Sequence, residues 1–402
     1  MARTVNGFGS EIRIGDYVSV GVLAKVFPLP KVREVLRATG KESLRERELP
    51  AHIVIYYVIA MTMYMQVSYQ EVLRCLLQGL QWLFGPRFKL SVPGKSSISQ
   101  ARTRLGYEPM RKLHDDVVKP IATQQTKGAW YHNWLVVAMD GSTLDIADTA
   151  ENDREFGRPQ AAEHVCAFPQ LRFVSLLECG TRVLFGSELG GYRKSELVLA
   201  KEVIPFLKKG MLCLADRHYL GFELWGMATT SGADLLWRAR SDILLPCRKR
   251  LPDGSYLSRL YGSFKDRKLD QNGITVRVID YVLEGVPDAE PLYRLVTSIL
   301  DHKSAPAEDL AALYHERWEV ETALDELKTH LRGSNIVLRS KTPELVKQEF
   351  FGLMMSHFVI RGIMHEAALA ADEDPDRLSY SHAVRVIRRK VPQFAAFPPE
   401  RP

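Results

Sequence analysis

Three acidic residues stand where metal-assisted chemistry would need them. Asp140 closes the apolar run in VVAMDGS, and Asp216 closes the one in LCLADRHY. Carboxylates are disfavoured inside strands, so an acid at the carboxyl end of an apolar run marks a place where loops meet a rigid sheet. Glu321 lies on the long amphipathic stretch AEDLAALYHERWEVETALDELKTHLRG. At about 100° per residue, Tyr314, Arg317, Glu321 and Lys328 fall within about 60° of arc on one helical face, and Asp325 joins them. A carboxylate flanked by a guanidinium, an ammonium and a phenol can hold a hard cation and grip phosphate oxygens. The same spacing also describes a salt-bridge ladder on a solvated helix, with Arg317 and Glu321 as its i,i+4 pair. Spacing alone leaves both open.

The elements that must carry these residues follow from periodicity and punctuation. Residues 1–128 have mostly helical spacing, and the apolar run Ile53 to Met65, 13 residues long, reads as a buried helix too short to cross a bilayer. SSISQARTRLG offers serine caps, a short helix with Arg102 and Arg104, and Gly106 as a stop. It is a candidate recognition helix, although arginines two residues apart do not share a face, and an ordinary capped helix fits as well. From Trp134, β-rich runs take over in LVVAMD, RFVSLLECG, RVLFGSELG and MLCLAD, with a helical stretch from Lys194 to Leu207 before the last. That order predicts a mixed sheet with helices against it. A second β-rich block over about residues 235 to 300 reads as an insertion. Pro306 opens the long helix and Gly333 ends it. Beyond Pro343 the chain is helical, with Arg385, Arg388, Arg389 and Lys390 ahead of a Pro-rich tail.

Composition narrows the class. A chain of 402 residues with 46% hydrophobic residues implies two or three folded domains. Lys and Arg number 54 against 48 Asp and Glu, a net charge of +6. Residues 82–128 alone hold nine basic and three acidic residues, which equals that whole excess. Such a segment suits a polyanionic partner or is a solvated basic face. The cysteines Cys75, Cys166, Cys179, Cys213 and Cys247 form no Cys-x-x-Cys pair, and no apolar leader opens the chain, so a reducing cytoplasm is expected. Gly94-Lys95-Ser96 matches the tail of a phosphate-binding loop, but Lys89 stands where its first glycine belongs, which disfavours a nucleoside triphosphatase.

Tyr314-x2-Arg317-x3-Glu321-x6-Lys328 resembles the signature of the insertion-sequence-four family of DDE transposases. The likeness extends through DGSTLDIADT, AFPQLRFVSLLECGT, LADRHY and SSISQARTRLG, and so covers the chain from about residue 20 to about residue 340. It implies an α/β catalytic core of ribonuclease H-like fold with a β-rich insertion, a helical N-terminal domain and a helical C-terminal segment. The corresponding boundaries are 1–128 for the N-terminal DNA-binding domain, 129–234 and 301–340 for the core, 235–300 for the insertion and 341–402 for the C-terminal region. Asp140, Asp216 and Glu321 would be the catalytic carboxylates and the ligands of two Mg²⁺ ions, or of Mn²⁺, with no nucleotide triphosphate needed.

The resemblance further assigns Tyr314, Arg317 and Lys328 to contact with DNA, together with Arg217, Arg102 and Arg104. Tyr293 is the candidate platform for a flipped base at a hairpin intermediate, and an ordinary sheet residue fits it as well. The implied partner is double-stranded DNA, as terminal inverted repeats and as target, handled by a homodimer in the bacterial cytoplasm at the nucleoid and without a membrane. A DNA-binding protein that has lost its chemistry, or a structure-specific nuclease of the same fold, are the rival readings.

Overall fold

The computed structural model describes residues 15–43, 49–84, 92–159, 167–283, 290–333 and 336–389. The chain forms two compact units, one of Met1–Val117, Gln348–Ile360 and Ser379–Pro402, the other of Val118–Lys347 and Arg361–Leu378.

The first unit is helical. It contains α1 (Gly15–Val26), α2 (Leu29–Ala38), α3 (Ala51–Met63), α4 (Tyr69–Phe84), α5 (Lys95–Leu105) and α6 (Glu108–Val117). Every residue of α3 from Ile53 to Met63 is buried, as expected of a helix with no polar stripe, and α2, α4 and α5 pack on it. α5 stops at Gly106, whose φ of 71° few other residues adopt. Arg102 on α5 points inward. Its Nε donates to Gln348 Oε1 at 2.8 Å, and Gln348 Nε2 donates back to the carbonyls of Arg102 (3.1 Å) and Gly106 (2.7 Å). The expectation that Arg102 contacts DNA is therefore corrected: its guanidinium braces the unit from within, while Arg104 is exposed. Arg87 and Lys89 of the basic segment, like Cys166 and Lys390, lie outside the described residues.

The second unit is built on one sheet. Its strands are β1 (Trp130–Tyr131), β2 (Trp134–Asp145), β3 (Gln170–Glu178), β4 (Val183–Gly191), β5 (Met211–Ala215), β6 (Asp234–Arg238), β7 (Lys249–Arg250), β8 (Tyr256–Leu260), β9 (Ile274–Tyr281) and β10 (Tyr293–Thr297). They run β4-β3-β2-β5-β6-β10-β9-β8-β7, with β1 paired to β2. β2, β3 and β4 are successive antiparallel neighbours, whereas β5 and β6 run parallel to β2. These five strands have the mixed order of a ribonuclease H-like core. Parallel neighbours need crossover segments, which carry α8 (Glu196–Val203) and α9 (Phe222–Thr230), after α7 (Ala150–Phe156) in the β2 to β3 connection. The runs LVVAM in β2 and MLCLA in β5 are buried throughout, the pattern of strands covered on both faces.

Two sequence boundaries move. Residues from 235 were assigned to the insertion, yet 234–238 form β6, a core strand whose Leu235, Leu236 and Trp237 are fully buried. The insertion strands β7 to β10, with the short helix α10 (Phe264–Leu269), continue the same sheet because β10 pairs antiparallel with β6. The single long helix expected after Pro306 departs from α-helical pitch in two places. It runs as α11 (Ala307–Leu313), a 3₁₀ turn over Tyr314–Arg317, α12 (Trp318–Asp325) and a π-helical turn over Glu326–Gly333. The π turn coincides with Glu326 being drawn inside toward Arg361 and Arg182, and such turns recur at functional sites. α13 (Pro343–Ala371) contributes residues to both units, and α14 (Tyr380–Arg389) belongs to the first. Among the described residues no helix is long and apolar enough to cross a membrane.

Candidate active site

β5 pairs with β2 only as far as Ala215 opposite Met139. Asp216 and Asp140 are thus the next residues on two adjacent parallel strands. Beyond that point β5 has ended, and β2 continues to Asp145 along β3 alone. Asp140 is consequently not at the end of its strand, as its sequence context had suggested. It borders a notch where the strand loses one neighbour, and the carboxyl ends of such strands are where α/β sheets bind ligands.

Each aspartate is held by a nearby amide. Gly141 N–H donates to Asp140 Oδ1 at 2.8 Å, and His218 N–H donates to Asp216 Oδ1 at 2.7 Å. Burial pushes the Asp140 carboxyl up to a pKa of about 6, and the charge of Asp216 adds to the rise, while the Gly141 amide and Arg317 oppose it.

The helix supplies Arg317, Glu321 and Lys328. Arg317 Nη2 donates to Glu321 Oε1 at 3.0 Å, while Nη1 lies 3.9 Å from Asp140 Oδ2. One largely buried guanidinium thereby bridges an acid on the sheet and an acid on the helix. Lys328 Nζ donates to Ser142 Oγ at 3.1 Å, on the same face of β2 as Asp140. Arg317 links Asp140 to Glu321, Lys328 reaches the neighbouring Ser142, and Asp216 adjoins Asp140 by strand register.

Other expected residues fall elsewhere. Tyr314 is buried, and its hydroxyl donates to the carbonyl of Ala215 at 3.1 Å, so it steadies the residue before Asp216 and does not face DNA. The 3₁₀ turn eclipses it with Arg317, and both side chains reach the strand ends that carry the aspartates. Tyr293 does not offer a free platform: Tyr281 stacks on it at 5.3 Å and the Arg238 guanidinium lies 4.6 Å from its ring centre. Arg217 is exposed and pairs with Glu290 at 3.1 Å. Asp325 is exposed and accepts from Thr329 Oγ1 at 2.6 Å.

Sequence reasoning missed three features. Trp318 is 54% exposed beside the site, with the Arg317 guanidinium 5.0 Å from its ring centre. A tryptophan among the charges of HERWEVE was the available signal. Arg277 of β9 is fully buried and donates to Asp253 Oδ2 at 2.5 Å and to the Ala305 carbonyl at 2.7 Å. Asp253 also accepts the Ala307 amide at 3.0 Å, so the insertion fixes the first residue of α11. Behind α12, Arg182 pairs with Glu319, and Glu326 accepts Arg361 Nε at 2.9 Å.

Two members of this donor set suit a divalent metal. Asp140 and Asp216 offer hard oxygens on neighbouring strands, and Asp140 carries a buried charge that a cation would relieve. These two residues fit. Among the described residues, however, no three Asp, Glu, His or Cys side chains are placed to share one ion. In this structure Glu321 is engaged by Arg317 and stands apart from the Asp140 and Asp216 pair.

Comparison with known proteins identifies the family. Residues 17–115 match the family described as insertion element 4 transposase N-terminal, and residues 135–359 match the transposase DDE domain. Transposase InsG for insertion sequence element IS4 of Escherichia coli K12 is 25% identical over an alignment of 396 residues that covers 94% of this chain and 82% of that protein. A putative transposase InsZ of the same organism is 22% identical over 234 residues, 58% of this chain and 73% of its own length. A solved piggyBac transposase synaptic complex with hairpin DNA aligns with a TM-score of 0.47 and 12% identity, covering 93% of this chain and 80% of that one. With the catalytic-domain match alone spanning more than half of its length, the chain belongs to the IS4 family of DDE transposases, metal-dependent enzymes encoded by insertion sequences.

Proposed function

We propose that this transposase binds the terminal inverted repeats of its own element and cuts and rejoins DNA strands at Asp140, Asp216 and Glu321, with Mg²⁺ as the working ion. The observation that carries the reading is the register of β2 and β5, which sets Asp140 and Asp216 side by side at the open end of the sheet, with Arg317 joining Asp140 to Glu321. When bound, two divalent ions would supply Lewis acidity to the scissile phosphate and lower the pKa of the attacking water or 3′-hydroxyl.

The remaining roles belong to the chain. Asp140 and Asp216 hold the ions. Arg317 is shaped to take two phosphate oxygens at once, and in doing so it frees Glu321 to turn toward the aspartates. Lys328 adds a point charge beside Ser142. Trp318, in place of Tyr293, offers an exposed ring for a base unstacked at a hairpin. Joining two element ends calls for two protomers on DNA, acting in the cytoplasm.

The test is incubation of the protein with linear DNA carrying its native element ends, with and without Mg²⁺. Nicks confined to the element boundary and dependent on metal support the reading. Binding without nicks points to a silent DNA-binding protein, and cleavage indifferent to end sequence points to a structure-specific nuclease. Asp140→Asn, Asp216→Asn and Glu321→Gln are each expected to abolish cleavage with end binding retained.

A further inference from the structure

We propose that Arg238 and Arg217 form a clasp for a DNA backbone phosphate beside Asp216, and that Glu290 fills this clasp as a stand-in for the phosphate until DNA displaces it. The inference rests on the reading of Asp140 and Asp216 as the cleavage site.

Arg238 reaches the site by register. β5 and β6 pair in parallel as far as Ala215 opposite Trp237, so Asp216 and Arg238 are the next residues on their strands. Asp140 and Asp216 stand in the same relation on β2 and β5. The three residues thus make one row across the carboxyl ends of adjacent parallel strands, about 5 Å from strand to strand. The charges of Asp216 and Arg238 both act on the buried Tyr314 hydroxyl, which places the two side chains about one region of the sheet. Arg238 lies one strand beyond Asp216, away from Asp140, so the phosphate it takes is a neighbour of the scissile one.

The arginine is fixed in position. Its side chain is 19% exposed, and its guanidinium lies 4.6 Å from the centre of the Tyr293 ring, on which Tyr281 stacks at 5.3 Å. A partly buried cation held so closely needs an anion. Glu290, just before β10, supplies one. Arg238 Nη2 is 2.6 Å from Glu290 Oε2, and Arg217 Nη1 is 3.1 Å from Oε1. Two guanidiniums from two strand ends therefore take one oxygen each of a single carboxylate, as they would take two oxygens of a phosphate. Arg238, with Arg217, holds the Glu290 carboxyl below the usual carboxylate range, so the group is an anion. The Glu290 amide donates to the Tyr293 hydroxyl at 3.2 Å, which aims the acid at the clasp.

Exchange is favourable because the outer half of the clasp is open. Arg217 is 53% and Glu290 44% exposed, and an ion pair so accessible to water contributes little to stability. A backbone phosphate brings the same charge, and each one neutralised also releases counterions from the DNA.

The experiment measures binding of the full chain to DNA carrying its native element ends, without divalent metal and at several salt concentrations. Thermal unfolding is the folding control. Glu290→Gln is expected to tighten binding about 5-fold. Arg238→Ala is expected to weaken it about 10-fold and to lower the salt slope by about 1. Adding Glu290→Gln to the Arg238→Ala, Arg217→Ala double variant should change nothing. Equal tightening in both backgrounds is long-range charge alone and overturns the clasp, as does unchanged or weaker binding by folded Glu290→Gln. Should Arg238→Ala unfold, the exposed Arg217→Ala alone takes its place in this cycle. Neutral methylphosphonates, placed singly around the cleavage point, should reveal one position next to the scissile phosphate that weakens the wild type and leaves Arg238→Ala indifferent. The absence of such a position overturns the assignment. Metal-dependent nicking of the same DNA by the wild type is followed in parallel. Nicking with a failed cycle overturns this inference alone, whereas no nicking overturns the cleavage-site reading and the inference with it.

Discussion

The Tyr314 hydroxyl donates to the carbonyl of Ala215 at 3.1 Å and so ties the catalytic helix to the strand end that presents Asp216. Replacing Tyr314 by Phe removes one buried hydrogen bond and leaves the ring, for a cost of about 1 kcal/mol. Cleavage should slow several-fold with end affinity unchanged, as measured by single-turnover kinetics and filter binding. Weaker DNA binding at an unchanged cleavage rate would return Tyr314 to a direct DNA contact.

Arg317 competes with metal for two acids, because its guanidinium already contacts Glu321 and Asp140. Arg317→Ala is expected to bind Mn²⁺ more tightly than wild type without DNA and yet to cleave at least about 100-fold more slowly. Arg317→Lys keeps the charge but not the fork, and should recover little of the rate. Equal cleavage by the lysine variant would show that charge alone suffices.

Asp140 gives the metal-free protein a pH signature. Its folded pKa of about 6 lies above the ordinary carboxylate value of 3.8, so the folded state binds more protons than the unfolded state between those values. Stability from this group is present below about pH 4 and is lost as pH rises through 6, a change of about 3 kcal/mol. Asp140→Asn should therefore raise the unfolding temperature of the metal-free protein at pH 7.5 and change it little at pH 4. A pH-independent difference between the two proteins would contradict this environment for Asp140.

Arg102 and Arg104 should separate cleanly. Arg102→Ala leaves the buried Gln348 Oε1 without its donor and is expected to cost about 2 kcal/mol or more of stability. Arg104→Ala should leave stability unchanged. If Arg104 meets a phosphate, its loss also lowers the salt slope of end binding by about 1. Denaturant unfolding and binding at several salt concentrations check both.

Trp318→Ala should reduce hairpin formation more than first-strand nicking, since base stacking contributes about 1 to 3 kcal/mol. Trp318→Phe should restore part of the loss. Equal effects on both steps would argue against a stacking role.

Much of this arrangement was legible in the residues. The apolar runs before Asp140 and Asp216 marked the two central strands, and the order of runs foretold a mixed sheet. What the residues did not disclose is register. The notch beside Asp140 arises from where β5 stops, which depends on strand pairing and not on any property of VVAMDGS. Spacing on the helix was read at one uniform pitch, whereas 3₁₀ and π turns interrupt it, the π turn where Glu326 meets Arg361, a partner distant in sequence. The burial of Tyr314 against the end of β5 likewise depends on the sheet. Tyr293 was a reasonable aromatic by position, but Tyr281 and Arg238 cover it, and neither could be known as a neighbour without the sheet.

The hydrogen bonds from β6 to β10 make the insertion an extension of the core and not a tethered appendage. Chain length between the second and third acids is therefore decoupled from their separation in space. The outer edge is not free to vary throughout, because Asp253 in the β7–β8 turn accepts the Ala307 amide and so sets the point from which α11 departs. Growth of this region that spares that turn would leave the chemistry assembled.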